Sequence, residues 1–135
     1  MSDTPLRDLL EDDDLESHYW QELQHGRLVF ARCRRCDNAW LPPRAECPSC
    51  LEADWVWEEA SGRGKLISWV VYHVAYHPAF EDRLPYNVAI VELDEGPRLI
   101  TNLTDIDITA PAAEAPVELA IEEDGGLALA RFRLL

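Results

Sequence analysis

The four cysteines of this 135-residue chain fall into two pairs, Cys33-Arg34-Arg35-Cys36 and Cys47-Pro48-Ser49-Cys50. A C-x-x-C segment closes into a tight knuckle that aims both sulfurs at one point. Two knuckles facing each other across a hairpin supply the tetrahedral thiolate set that structural zinc prefers. The spacer, Asp37–Glu46, is shorter than the usual zinc-finger interval but long enough for a ribbon hairpin. Two other chemistries use the same residues. A redox C-x-x-C stands at the start of a helix after a strand, and nothing helical is expected after either pair. Disulfides need an oxidising compartment, and Met1–Asp14 is acidic with no apolar signal stretch. The spacing therefore points to one structural zinc ion on Cys33, Cys36, Cys47 and Cys50, in a cytoplasmic protein. With four protein ligands the metal has no open position, so it builds and does not catalyse. Replacing Cys33 or Cys50 by serine is expected to disorder the ribbon and leave the barrel able to survive.

Charge bears on partners more than on fold. With 26 acids against 12 bases the net charge is −14, which opposes a phosphate backbone. Arg27, Arg32, Arg34, Arg35 and Arg44 nevertheless gather around the knuckles, so a local basic patch stays open. No apolar run approaches the roughly 20 residues of a membrane span, and no membrane contact is expected.

Along the chain, residues 1–14 hold little to bury and read as a flexible acidic arm. Leu15, Tyr19 and Leu23 recur every four residues with Trp20 beside them. That stripe predicts a short amphipathic helix, Leu15–Gln24, stopped at Gly26. Its aromatic face either packs on its own domain or docks on another subunit. Leu28–Ala31 and Trp55–Trp57 read as strands flanking the knuckles. Pro42-Pro43 blocks a helix between them. Ser61-Gly62-Arg63-Gly64 is a turn, dividing a helix-plus-ribbon unit, 15–60, from a second unit, 61–135. The second unit reads as five strands: Lys65–Tyr76, Tyr86–Leu93, Arg98–Leu103, Val117–Glu122 and Leu127–Leu134. Five strands with short turns and no intervening helix suggest a small barrel of the OB-fold type. The chain is thus mostly β: an N-terminal amphipathic helix, a zinc ribbon and a five-stranded OB-fold barrel.

His73 and His77 fall on one face of the first barrel strand, a pair able to bind metal or shuttle protons. No carboxylate or cysteine has the spacing to complete such a site. Gly62-x-Gly64 lacks a third glycine and precedes a strand, so it is no dinucleotide fingerprint. In the loop His77–Pro85, Phe80 and Arg83 offer a contact surface of the kind OB barrels use for ligands.

Taken jointly, several motifs carry a resemblance. They are Tyr19-Trp20, Gly26-Arg27-Leu28, the two knuckles, Pro42-Pro43-Arg44, Ser61-Gly62-Arg63-Gly64, Ser68 with His73, Val91–Gly96 and Thr101-Asn102. From Leu15 to Leu134 the chain resembles the rubredoxin-like zinc-ribbon plus OB-fold proteins that accompany thiolase-like enzymes acting on acyl-CoA. It departs from them in having Asp37 and Leu51 where glycine often follows each knuckle. Asp tolerates the positive φ of that position; Leu51 is expected not to, so the second knuckle should close differently. The resemblance implies a non-catalytic subunit bound to a thiolase, a hydroxymethylglutaryl-CoA synthase or a lipid-transfer-protein-like aldolase, some in steroid or bile-acid side-chain degradation. It further implies an α2β2 heterotetramer that holds or channels a CoA ester. Arg34, Arg35 and Arg63 are then candidates for the CoA phosphates, because a guanidinium grips phosphate with two donors. Tyr19, Trp20, His73, His77, Phe80 and Arg83 become candidate contacts to partner or ligand. Two other functions fit the fold: a single-stranded nucleic-acid binder, which would need a basic groove with stacking aromatics, and a stand-alone acyl-CoA enzyme using His73 and His77.

Overall fold

A computed structural model describes residues 14–73, 78, 85–104 and 114–135. Helix α1 spans Asp14–Gln24, as its apolar stripe requires. Gly26, at φ 81°, ends it: the amide of Gly26 donates to Leu23 O and that of Arg27 to Glu22 O. This is the Schellman arrangement, in which glycine supplies the left-handed residue. Three short strands follow, β1 (Val29–Cys33), β2 (Ala39–Trp40) and β3 (Trp55–Glu59), antiparallel in the order β2-β1-β3. Trp55 and Trp57 share one face of β3, their rings 5.0 Å apart, edge to face. The row continues to Trp40 on one side and to His18 of α1 on the other, so aromatic contacts fasten the helix to the ribbon.

The second sheet holds β4 (Arg63–Tyr72), β5 (Tyr86–Leu93), β6 (Arg98–Thr101), β7 (Pro116–Asp124) and β8 (Leu127–Leu134), in the order β6-β5-β4-β7-β8. Its two edges meet through a parallel bridge between Leu103 and Phe132, which completes the five-stranded OB arrangement. The first barrel strand, expected over Lys65–Tyr76, ends at Tyr72 instead. His73 lies past its end, and residues 74–77 fall outside the described set.

The third barrel strand, expected to reach Leu103, stops at Thr101 because Asn87 takes over. Its side chain donates to Leu103 O at 2.8 Å and accepts from Leu103 N at 2.6 Å. The chain is thereby released towards β8. There the Thr101 hydroxyl donates to Ala130 O at 2.6 Å, and the amides of Thr104 and Phe132 complete the seam. Thr101-Asn102 is thus a barrel-closing device.

The turn Ser61-Gly62-Arg63-Gly64 is explained by backbone geometry. Gly62 sits at φ 87°, and a Cβ on Gly64 would stand 2.4 Å from Glu92 O on β5. The Ser61 hydroxyl accepts from the Arg63 amide, while the Ser61 amide donates to Glu95.

One core joins the two sheets. Leu23, Leu28 and Phe30, from the helix and ribbon, pack with Leu66, Val91 and Phe132 of the barrel, all fully buried. No helix among the described residues is long and apolar enough to cross a membrane.

Candidate metal centre and the adjoining groove

Each knuckle is built by the same backbone bonds. Asp37 N donates to Cys33 O and Leu51 N to Cys47 O. In turn, Cys33 N donates to Asn38 O and Cys47 N to Glu52 O. The residue after each second cysteine must then be left-handed: Asp37 has φ 68° and Leu51 φ 66°. The expected difference between the knuckles is therefore overturned. Leu51 is forced into the glycine conformation by the hydrogen bonds on either side of it, and its side chain stays 75% exposed. A left-handed leucine costs about 1 kcal/mol. Leu51→Gly should accordingly raise the stability of the metal-loaded chain by about 1 kcal/mol, seen as a higher denaturant midpoint. No gain would mean that the second knuckle is not strained.

The sulfurs of Cys33, Cys36, Cys47 and Cys50 all lie within 4.8 Å of one another. Cys33–Cys50 and Cys36–Cys47 are 3.5 and 3.6 Å apart, far beyond disulfide length, and all four cysteines are free. Tetrahedral zinc with Zn–S near 2.3 Å places its sulfurs about 3.8 Å apart, so the cluster is the right size.

The electrostatics also fit a cation. The amide of Cys36 holds the Cys33 thiol below its ordinary range, against the effect of burial and with help from the Arg35 amide. Burial opposes ionisation of Cys47, yet the amides of Cys50 and Ser49, with Cys36 and Asn38, pull it down to about 6. For Cys50 the Glu52 amide favours the thiolate. Burial and the sulfurs of Cys33, Cys36 and Cys47 outweigh it and push the thiol up to about 12. Four thiolates this close repel one another until a divalent cation joins them. Trp40, nearly buried, closes one side of the site, and the Trp55 ring N–H donates to Ala45 O of the spacer.

The arginines around the knuckles are largely neutralised. Arg32 meets Glu58 at 3.0 Å, Arg34 meets Asp54 at 3.7 Å, and Arg27 is held by Glu22. Among the described residues Arg35 and Arg63 have no acidic partner, and they sit on different elements, the first knuckle and the start of β4. His73 is exposed, while His77, Phe80 and Arg83 fall outside the described residues.

Tyr19 and Trp20 pack on their own domain, with rings 5.1 Å apart against the common core. Burial pushes the Tyr19 hydroxyl up to about 12. Both also line a groove of about 570 Å³, which the sequence reading did not find. Its other walls are Leu41-Pro42-Pro43 of the spacer and Ile90, Leu99 and Ile100 of the barrel, with the charged Glu16 of α1 and Arg98 of β6 also lining it. The available signal was an isoleucine at a solvent-facing strand position, Ile100, which is 76% exposed.

Two family descriptions match successive parts of the chain: "ChsH2, rubredoxin-like zinc ribbon domain" over residues 20–56 and "ChsH2, C-terminal OB-fold domain" over residues 57–122. A "DUF35 domain-containing scaffold protein" of Methanocaldococcus jannaschii is 35% identical, over 84% of this chain and 83% of its own. A "Probable enoyl-CoA hydratase alpha subunit" of Thermomonospora curvata is 42% identical over 87% of this chain, which spans only 37% of that protein's length. Among solved structures, a chain of the "Ltp2-ChsH2(DUF35) aldolase" superposes with a TM-score of 0.79 at 39% identity, over 93% of this chain and 98% of its own. A DUF35-family protein of unknown function from Sulfolobus solfataricus shares the fold, with a TM-score of 0.62 at 11% identity over 90% of this chain and 86% of its own.

Proposed function

Because the chain belongs to the DUF35 family, with the zinc ribbon and OB fold of its ChsH2 branch, we propose that it is a non-catalytic accessory subunit of a thiolase-fold enzyme acting on acyl-CoA. The observation that carries this reading is the 39% identical chain of the aldolase complex, which matches it nearly end to end. The partner class is a thiolase or a lipid-transfer-protein-like retro-aldolase. Its substrate class is a CoA ester with a steroid or bile-acid side chain. The assembly is an α2β2 heterotetramer in the cytoplasm, and one structural zinc ion holds the ribbon. Arg35 and Arg63 are the better candidates for CoA phosphates, since Arg34 already faces Asp54. The stand-alone readings have less support. Three of the arginines that would form a basic patch are ion-paired. The histidine pair has one exposed member past a strand end and one outside the described residues.

The test is co-expression with a thiolase-fold protein from the same genome, then size-exclusion chromatography with retro-aldol and thiolysis assays on acyl-CoA. Co-elution, with activity only in the complex, is the expected result. A candidate partner that is fully active alone and elutes apart would overturn it.

A further inference from the structure

The two halves of the barrel differ on their outer faces. On β7 and β8 that face is polar and paired: Arg133 meets Glu118, and Arg131 bridges Glu122 and Asp124, both at 2.9 Å. An antiparallel sheet with one buried face ordinarily looks like this on the other. On β4, β5 and β6 the inward positions are Leu66, Ala89, Val91, Leu99 and Thr101, all buried. The positions between them point outward: Val88 and Ile90 of β5, Ile100 of β6 and Val70 of β4 are apolar, and Ser68 of β4, exposed opposite Ile90, is the polar residue among them. Val70 stands opposite Val88, and Ile90 opposite Ile100. Val70 is 53% and Ile100 76% exposed. Next to Ile90 and Ile100 the surface deepens into the groove walled by Trp20, Leu41 and Pro42. An apolar sheet face continuous with an apolar cleft, on a chain with this many acids, marks an interaction surface.

From this face we infer that the outer surface of β4–β6, with the groove beside it, is where the thiolase-fold subunit docks. The occupant is an apolar patch of that subunit, ringed by basic residues, with a side chain or short segment filling the groove. The inference rests on the accessory-subunit reading and locates its interface. Charge selects this occupant. Of the charged groups bordering the apolar positions, Glu92 is paired with Arg98 at 2.8 Å and with Lys65 at 3.7 Å, while Glu16 on the groove wall has no ion pair among the described residues. The sheet face is therefore close to neutral, with one uncompensated acid at the groove, while the chain carries −14. A second copy would bring two strongly negative bodies together, whereas a partner with a basic rim is steered onto the face. A small ligand would explain the groove but not Val70 and Val88, which lie outside it.

The test compares full-length wild type with Val70→Asp/Ile100→Asp, with the milder Val70→Thr/Ile100→Thr, and with the control Ala120→Asp on the polar half of the barrel. Each is co-expressed with the thiolase-fold protein, and its metal content and circular dichroism are checked. Wild type and Ala120→Asp should co-elute with the partner. The aspartate pair should lose affinity at least tenfold while staying folded and metal-loaded. Should the aspartates unfold the chain, the threonine pair, which keeps the β-branched shape, should still weaken binding several-fold. Binding retained by both double variants overturns the interface and leaves the accessory reading intact; no binding by wild type overturns both. A wild-type homodimer broken by the aspartates, or acyl-CoA binding by the isolated chain that they abolish, would assign the face to a different occupant and overturn the inference.

Discussion

Stripping the metal, or replacing Cys47 by serine, is expected to unfold the ribbon and to lower the melting temperature of the whole chain. Metal binding in small cysteine-rich sites is worth on the order of 10–16 kcal/mol, as large as the entire stability of a typical domain, about 5–15 kcal/mol. Serine offers no thiolate, and Cys47 is fully buried between the two knuckles. The damage will not stop at the ribbon, contrary to the expectation that the remainder would stand alone. Leu28 and Phe30 lie on the strand that leads into the first knuckle, and both sit in one core with Leu66, Val91 and Phe132. When the knuckles open, β1 loses its anchor, and the barrel exposes the apolar surface that Phe30 had covered. Thermal melts with and without a chelator, paired with metal analysis, check this. A barrel that melts at the same temperature in both conditions would refute the coupling.

Among the described glycines, Gly64→Ala should be the most damaging added methyl. The new Cβ would lie 2.4 Å from Glu92 O, 3.1 Å from Glu92 C and 3.2 Å from Leu93 Cα. All three atoms are backbone, and β5 is hydrogen-bonded to β4 on one side and β6 on the other, so it has little room to move. Overpacking of this kind costs about 3 kcal/mol. Gly62→Ala is the useful comparison. Its Cβ meets Leu119 Cβ at 3.2 Å, and its φ of 87° strains an alanine, at about 1–2 kcal/mol. Denaturant unfolding should rank Gly64→Ala well below Gly62→Ala, which should in turn fall below wild type. A Gly64→Ala protein within 0.5 kcal/mol of wild type, about the scatter of surface substitutions, would show that β4 and β5 are not as tightly apposed as described.

The metal ligands were legible because thiolate chemistry restricts spacing so tightly that two C-x-x-C pairs admit few other geometries. Helix α1 was legible from a four-residue apolar recurrence, and the barrel strands from β-forming stretches set between short turns. Legibility failed where a side chain replaced a backbone ladder or where backbone bonds overrode local preference. Asn87 ends β6 early through bonds to Leu103, sixteen residues away, which no local pattern encodes. Leu51 accepts a left-handed backbone because the amide and carbonyl partners of Cys47 leave no alternative. Local propensity loses wherever several hydrogen bonds fix the same residue.

The amino-acid sequence by itself determined the ligand set, the element types and the family motifs. Each depends on residue identity over a few neighbouring positions. The tertiary structure alone decided that ribbon and barrel share one core, and that Arg32 and Arg34 near the first knuckle meet Glu58 and Asp54 from a distant part of the chain. It also decided that an apolar face of the barrel runs on into the groove beside Trp20 and Pro42. These depend on which strands lie side by side. That order is fixed by burial and hydrogen bonding summed over the whole chain, and no single segment carries it.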